Sequence, residues 1–107
     1  MTHAANRLRR RKALRALPFT DDDRKRFGRL VAVAAASARY PEGDPKPLAK
    51  ARRHVRGRTL PPGQATPGSC FDQLCRLADR WAAMLATDRI AHGAALAALA
   101  EACRMVL

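Results

Sequence analysis

The chain has 107 residues, an apolar fraction of 48% and a formal net charge of +12. This length allows a single domain with one modest core, and the apolar fraction excludes a wholly disordered chain. The sequence has no apolar run near the roughly 18 residues of a membrane span and no secretory signal, so it predicts a cytoplasmic protein without a membrane partner.

The positive charge is confined to one part of the chain. Residues 1–68 hold 17 Lys and Arg against 5 acidic residues, whereas residues 69–107 hold four of each. A basic part beside a neutral, apolar part indicates two roles, because a polyanion such as nucleic acid binds the first while the second folds or pairs. Because 23 residues are Ala and only five are aromatic, the core is expected to bury little apolar area. Additional stabilisation by a partner or by self-association is therefore compatible with the sequence.

Residues 1–18 are predicted to form a basic N-terminal arm. The segment has helix-forming composition but lacks a coherent apolar stripe, so only Leu14 and Leu17 are expected to dock on the rest of the protein. Guanidinium groups donate paired hydrogen bonds to phosphate oxygens, so the arm is a candidate phosphate-binding element. The alternatives are a solvated terminus and an organellar transit peptide. Its candidate contacts are Arg7, Arg9, Arg10, Arg11, Lys12 and Arg15.

Residues 19–107 are predicted to form a single helical domain, which begins with a core helix over residues 21–39. Thr20 and Asp23 match a capping box, in which each side chain bonds the backbone N–H of the other residue. One apolar stripe follows at helical spacing, and Pro41 and Gly43 end the helix. The stripe consists of Phe27, Leu30, Val31, Ala34 and Ala38.

A shorter, basic helix is predicted over residues 45–56, with Asp44 as its cap. Leu48, Ala51 and Val55 form its inward side. The basic side chains on the opposite side have no acidic residue three or four positions away in the sequence. Salt bridges within the helix therefore do not explain these charges, and phosphate binding becomes the favoured interpretation. Its candidate contacts are Lys50, Arg52, Arg53 and Arg56, continued by Arg58. Residues 57–68 are predicted to form a linker rich in Pro and Gly.

Residues 69–107 are predicted to form an antiparallel helical hairpin. Ser69 and Asp72 open the first helix, a turn is expected over residues 87–91, and the second helix covers residues 92–106. The first apolar stripe is Phe71, Leu74, Cys75, Ala78, Trp81, Ala82 and Leu85, and the second is Ala95, Leu96, Leu99, Ala102, Cys103 and Val106. The hairpin is too small to be stable alone, so the fold class is a small all-α bundle of four to five helices.

Trp81, Met84 and Leu85 have two interpretations. Their helical spacing is typical of core residues. If the helix is left partly uncovered, the same residues form a partner or dimer interface, because Trp is a frequent interface anchor. Either arrangement is compatible with the sequence.

No motif in the sequence supports catalysis, a metal site or a cofactor. Asp21, Asp22 and Asp23 are consecutive, so on a helix their carboxylates diverge by about 100° and cannot converge on one ion. The three histidines (His3, His54, His92) and the three cysteines (Cys70, Cys75, Cys103) lack metal-ligand spacing. We therefore expect a protein that is not an enzyme, in a reducing compartment.

These patterns predict a non-enzymatic nucleic-acid-binding accessory protein that grips backbone phosphates, with duplex DNA favoured over RNA. Base-specific reading is not expected, because the 39–45 connection is too long and too rich in proline for a helix-turn-helix. The alternative is a small helical adaptor that docks its basic region on an acidic protein. A membrane-surface segment ranks third, since no large apolar face opposes the cations.

Overall fold

Four α-helices make up the regular structure of residues 19–55 and 60–107, the part of the chain that the computed structural model describes. Residues 1–18, the predicted arm, and residues 56–59 lie outside the described residues. The helices are α1 (Asp21–Arg39), α2 (Lys46–His54), α3 (Cys70–Trp81) and α4 (Ala86–Val106). The described ranges contain no strand, which confirms the predicted all-α class.

Helix α1 has the predicted bounds and the predicted capping box. The backbone N–H of Asp23 donates to Oγ1 of Thr20 at 3.2 Å, and the Asp23 carboxylate accepts from the backbone N–H of Thr20 at 3.0 Å. These hydrogen bonds, the backbone one first, hold the pKa of Asp23 below its usual value. The predicted inward residues Phe27, Leu30 and Val31 are buried.

Helix α2 is slightly shorter than predicted, and Pro45 rather than Asp44 occupies its N-cap position. Asp44 still satisfies the helix start, because its Oδ1 accepts from the backbone N–H of Lys46 at 2.9 Å. Leu48, Ala51 and Val55 are buried as predicted.

The segment before α3 packs against the start of that helix. Pro61 is buried, and the Gln64 side-chain oxygen accepts from the backbone N–H of Phe71 at 3.2 Å. Ser69 and Asp72 cap the helix, although the Asp72 carboxylate accepts from the N–H of Gly68, at 2.9 Å, rather than from Ser69. Residues 60–68 of the predicted linker are therefore tied to α3 by hydrogen bonds.

The turn between α3 and α4 lies five residues earlier than predicted. Residues 82–85 form it, and the predicted turn at 87–91 belongs to the first turns of α4. The backbone N–H groups of Ala83 and Met84 donate to Arg80 and Trp81, three residues back, which tightens the end of α3. Alanine and leucine favour a helix on both sides of this point, so the local sequence did not mark the break.

The inward side of α4 is also rotated from the prediction. Leu96 and Cys103 are buried and Leu99 is partly buried as predicted, but Ala95, Ala102 and Val106 are exposed. The buried positions are instead Arg89, Gly93, Leu96, Ala100 and Cys103. The spacing rule fails here because most residues of α4 are apolar, and several helical faces therefore satisfy the same pattern.

The four helices form a closed ring around one core. Helix α1 packs on α2 and α4, and α3 packs on the same two helices. Phe27 of α1 and Phe71 of α3 meet edge to face at the centre, with ring centroids 5.2 Å apart. At one end of the ring, Arg24 lies over the Phe19 ring and donates to the backbone oxygen of Leu107, which joins the start of α1 to the end of α4.

Candidate nucleic-acid interface

An open groove of about 700 Å³ runs between α1 and α2. Its floor is apolar, and its rim carries four cations and one acid. We call the four cations, Arg29, Lys46, Lys50 and Arg53, together with the floor residues Val33, Pro47, Ala49 and Ala82, the basic groove. The acid is Asp44, whose carboxylate already accepts the Lys46 backbone N–H.

The α2 cations follow the helix axis along the groove. Lys46, Lys50 and Arg53 are spaced i, i+4 and i+7, which places them on one side of α2 over about 10 Å at 1.5 Å per residue. Arg29 reaches the same groove from α1. The arrangement presents a row of positive charges with a fourth charge across from it.

None of these four cations has an acidic side chain within 4.0 Å among residues 19–55 and 60–107. All four are exposed. Like charges this close repel one another, so the arrangement does not stabilise the fold. Phosphate oxygens would relieve the repulsion and accept the donated hydrogen bonds.

Arg52 differs from the other predicted α2 contacts. Its Nε lies 3.1 Å from Oδ1 of Asp79 on α3, and its Nη1 donates to the backbone oxygen of Val55 at 3.3 Å. The Nε–H does not point at the carboxylate, so the contact is an ion pair rather than an aligned hydrogen bond. The helix itself holds no acidic partner for Arg52, as predicted; the partner comes from α3, which sequence spacing does not reveal.

The remaining predicted contacts divide into two groups. Lys50 and Arg53 lie on the rim of the basic groove. The others lie outside the described residues: Arg7, Arg9, Arg10, Arg11, Lys12 and Arg15 of the arm, and Arg56 and Arg58 after α2.

Sequence reasoning missed two residues of the basic groove, Arg29 and Lys46. A signal for both was present, since Lys46 continues the Lys50 and Arg53 series one turn earlier and Arg29 follows Lys25 by four residues. Their meeting in one groove required the packing of α1 against α2, which no single-helix pattern contains.

The predicted partner surface is split by the fold. Trp81 is fully buried in the core of the single chain, whereas Met84 is half-buried and Leu85 is 72% exposed. Trp81 therefore takes the core role that the sequence also allowed, and of the three only Leu85 is largely available at the surface.

The described residues include no group of three or more His, Cys, Asp or Glu side chains placed to hold a metal ion. Burial raises the pKa of the Cys75 and Cys103 thiols, so both remain protonated at neutral pH. Cys70 is half-buried, and its thiol contacts the Gln64 side-chain oxygen at 3.1 Å.

Comparison with known proteins finds no matching family model, no matching curated protein and no matching solved structure. Within the described residues, no helix combines the length and apolar character needed to cross a membrane. The chemistry of the basic groove is therefore the principal guide to function.

Proposed function

We propose that the protein is a non-enzymatic, cytoplasmic accessory protein that binds nucleic acid through its backbone phosphates. The observation that carries the proposal is the basic groove, in which Arg29 on α1 faces the Lys46, Lys50 and Arg53 row on α2, and among the described residues no acidic side chain lies within 4.0 Å of these four cations. The Arg-rich segment 1–18 adds further cations to the same chain.

Duplex DNA is the favoured ligand, ahead of RNA. A strand of B-DNA presents one phosphate per 3.4 Å of helix axis, so about 10 Å of α2 matches about three phosphates. Single strands are usually held by several stacked aromatic side chains, but Phe27, Phe71 and Trp81 are buried in the core, and Tyr40 is the one largely exposed aromatic among the described residues. The groove thus favours recognition of a sugar–phosphate backbone without base reading.

The apolar floor of the groove supports the second candidate function. Val33, Pro47 and Ala49 between cationic rims suit an acidic, amphipathic protein segment as well as a phosphate backbone. In that case substitutions would reveal a few dominant hot spots, whereas phosphate binding spreads the loss over many cations.

The test is a fluorescence-anisotropy titration of labelled duplex DNA, single-stranded DNA and duplex RNA between 50 and 200 mM salt. The groove variant carries Lys46→Ala, Lys50→Ala and Arg53→Ala. The matched control carries Arg76→Ala, Arg80→Ala and Arg104→Ala, which removes the same charge from exposed positions of α3 and α4.

We expect the groove variant to lose roughly 100-fold in duplex affinity near 150 mM salt and to flatten the log–log salt slope by about 2.7, because three phosphate contacts disappear. The control should lose much less. Equal losses in the two variants would show that binding reflects net charge alone, and the adaptor function would then be favoured.

A further inference from the structure

Three cysteines lie at the contact between α3 and α4. Cys70 and Cys75 belong to α3, of which Cys70 is the first residue, and Cys103 lies near the end of α4. The thiol of Cys103 is buried beside the thiol of Cys70, with Cys75 also nearby. Burial, followed by the influence of the Cys70 and Cys75 thiols, raises the pKa of Cys103. Helix packing therefore brings together thiols that are far apart in the sequence.

The contacts of α1 place the start of α3 and the end of α4 at one end of the ring. Phe71, which follows Cys70 in α3, packs edge to face on Phe27 of α1. Arg24, about one turn earlier in α1, donates to the backbone oxygen of Leu107, about one turn past the buried cysteine of α4. The first turns of α1 thus contact both chain segments that carry the adjacent thiols.

The two adjacent thiols differ in their access to solvent. Cys103 is 0% exposed, whereas Cys70 is half-buried. The side-chain oxygen of Gln64 accepts from the Cys70 thiol at 3.1 Å and from the backbone N–H of Phe71 at 3.2 Å, which holds the Cys70 side chain at the edge of the core. A small oxidant therefore reaches the sulfur of Cys70 first, with the sulfur of Cys103 behind it.

We propose that Cys70 and Cys103 form a disulfide bond when the protein meets a peroxide, and that this bond ties the start of α3 to the end of α4. Cytosolic disulfides are usually transient and redox-sensing, which suits two thiols that stay reduced until an oxidant appears. Cys75 is a poorer partner for Cys70, because residues five apart on one helix point about 140° away from each other.

The reaction has two steps. The thiolate of Cys70 attacks one oxygen of hydrogen peroxide and the O–O bond breaks, which leaves Cys70 as a sulfenic acid and releases hydroxide, converted to water by the proton that the thiol lost. The sulfur of Cys103 then attacks Sγ of Cys70, so that the S–S bond forms, the S–O bond breaks, and hydroxide leaves with the Cys103 proton as a second water. Overall, the two thiols lose two electrons and two protons, and the peroxide is reduced to two waters.

The disulfide should stabilise the fold. It closes the chain between residues 70 and 103, and a cross-link of this kind lowers the conformational entropy of the unfolded state. For a domain of this size we expect the melting temperature to rise by about 5–15 °C. The basic groove lies between α1 and α2, so this inference does not rest on nucleic-acid binding.

Peptide mapping of the full chain after peroxide treatment tests the bond. Free thiols are alkylated in denaturant, and the non-reduced protein is digested with trypsin. Cys70 and Cys75 share the peptide 59–76, and Cys103 lies in the peptide 90–104. The variant Cys75→Ala therefore assigns the bond, since a cross-link between these two peptides then joins Cys70 to Cys103 alone.

Cys70→Ser is the disrupting variant, because its half-buried position tolerates a polar group better than the buried Cys103 does. The fluorescence of buried Trp81 reports whether each variant is folded. Melting temperatures are compared before and after dithiothreitol, which reduces a disulfide but leaves oxidised methionine unchanged.

We expect the 59–76 to 90–104 cross-link in the wild type and in Cys75→Ala and its absence in Cys70→Ser. The rise in melting temperature should follow the same pattern and be reversed by dithiothreitol. A bond within peptide 59–76, a bond between two chains, or Cys70 oxidised to a sulfinic acid without a cross-link would overturn the proposal. A cross-link that leaves the melting temperature unchanged would show that the bond does not reinforce the α3–α4 contact.

Discussion

Arg89 and Pro41 are 48 residues apart in the chain, and Nε of Arg89 donates a hydrogen bond of 2.7 Å to the backbone oxygen of Pro41. The same guanidinium donates from Nη1 to the backbone oxygen of Met84 at 2.6 Å. Both carbonyls lie just past the C-terminal ends of helices, α1 and α3, where the helix dipole favours a cation. The buried Arg89 side chain, 8% exposed, therefore joins the turn after α1 to the turn before α4.

Substitution of Arg89 should be strongly destabilising. Arg89→Met keeps most of the side-chain volume but leaves the Pro41 and Met84 carbonyl oxygens without their donor. An unsatisfied buried polar group costs about 1–3 kcal/mol, so we expect the free energy of unfolding to fall by about 2–4 kcal/mol in urea titrations followed by Trp81 fluorescence. Arg104→Met, at the exposed pair with Glu101, is the matched control and should shift the urea midpoint very little. A wild-type midpoint for Arg89→Met would contradict this account.

Two helical glycines should respond differently to substitution. A Cβ at Gly93 lies 3.4 Å from the backbone oxygen of Ala38, because α1 and α4 approach closely there, whereas a Cβ at Gly28 has nothing within 4 Å. Gly28→Ala should therefore stabilise the protein by about 0.5–1 kcal/mol through helix propensity. Gly93→Leu should destabilise it by about 1–3 kcal/mol through overpacking.

Thermal unfolding of both glycine variants and of Gly93→Ala would separate packing from propensity. The added Cβ of Gly93→Ala makes only an ordinary contact, so this variant should fall between the other two in melting temperature. A melting temperature for Gly93→Leu equal to that of the wild type would show that α1 and α4 are not in close contact at this point.

Stability should decrease in acid through the two helix caps. Hydrogen bonds from Thr20 to Asp23, and from Gly68 to Asp72, hold the pKa of each carboxyl below its usual value. Since the folded-state pKa is the lower one, each ionised cap stabilises the fold fully above the unfolded pKa of about 3.9. That stability is lost progressively as the pH falls from there through the folded pKa.

Melting temperatures between pH 2 and 7 would measure this effect. The variant Asp23→Asn with Asp72→Asn should show a lower melting temperature at neutral pH and a flatter dependence below about pH 4, because the titrating carboxylates have been removed. Asp21→Asn removes a carboxylate from the same helix turn while the hydrogen bonds between Thr20 and Asp23 remain, and it is the control for the lost charge.

The three cysteines should differ in reactivity toward a disulfide reagent such as DTNB. Cys75 and Cys103 are buried and burial raises the pKa of both thiols, whereas Cys70 is half-buried at the start of α3. Native protein should therefore release one equivalent of thionitrobenzoate quickly and all three only in denaturant. Cys70→Ser should remove the fast phase; a fast phase that persists would place a second thiol at the surface.

Asp79 should limit the positive charge that α2 offers to phosphate. Asp79→Asn releases Arg52 from its ion pair, so, if the basic groove binds nucleic acid as proposed, duplex affinity near 150 mM salt should rise by up to about five-fold. Asp88→Asn makes the same change of charge at an exposed position on α4 and is the control. Anisotropy titrations that give equal or lower affinity for Asp79→Asn would argue against a phosphate contact near Arg52.

The sequence by itself determined the features that depend on a few adjacent residues. The bounds of α1 follow from the Thr20–Asp23 capping box, and its buried stripe follows from the large apolar residues Phe27, Leu30 and Val31 at helical spacing. The inward side of α2 was equally clear, because Leu48, Ala51 and Val55 alternate with charged residues. In these segments most of the large apolar side chains lie on one helical face.

Only the tertiary structure decided where α3 ends, which side of α4 is buried and which cations share a groove. Alanine is so frequent in residues 82–102 that local helix propensity does not mark the break and more than one helical face is apolar. Contacts with α1 and α3 therefore select which face is buried. The position of Arg89 shows the same dependence, since its hydrogen-bond partners come from two distant turns. The packing of α1 on α2 likewise places Arg29 beside the α2 cations, and the packing of α3 on α2 pairs Arg52 with Asp79. The residue spacing within a single helix does not encode the distance to another helix.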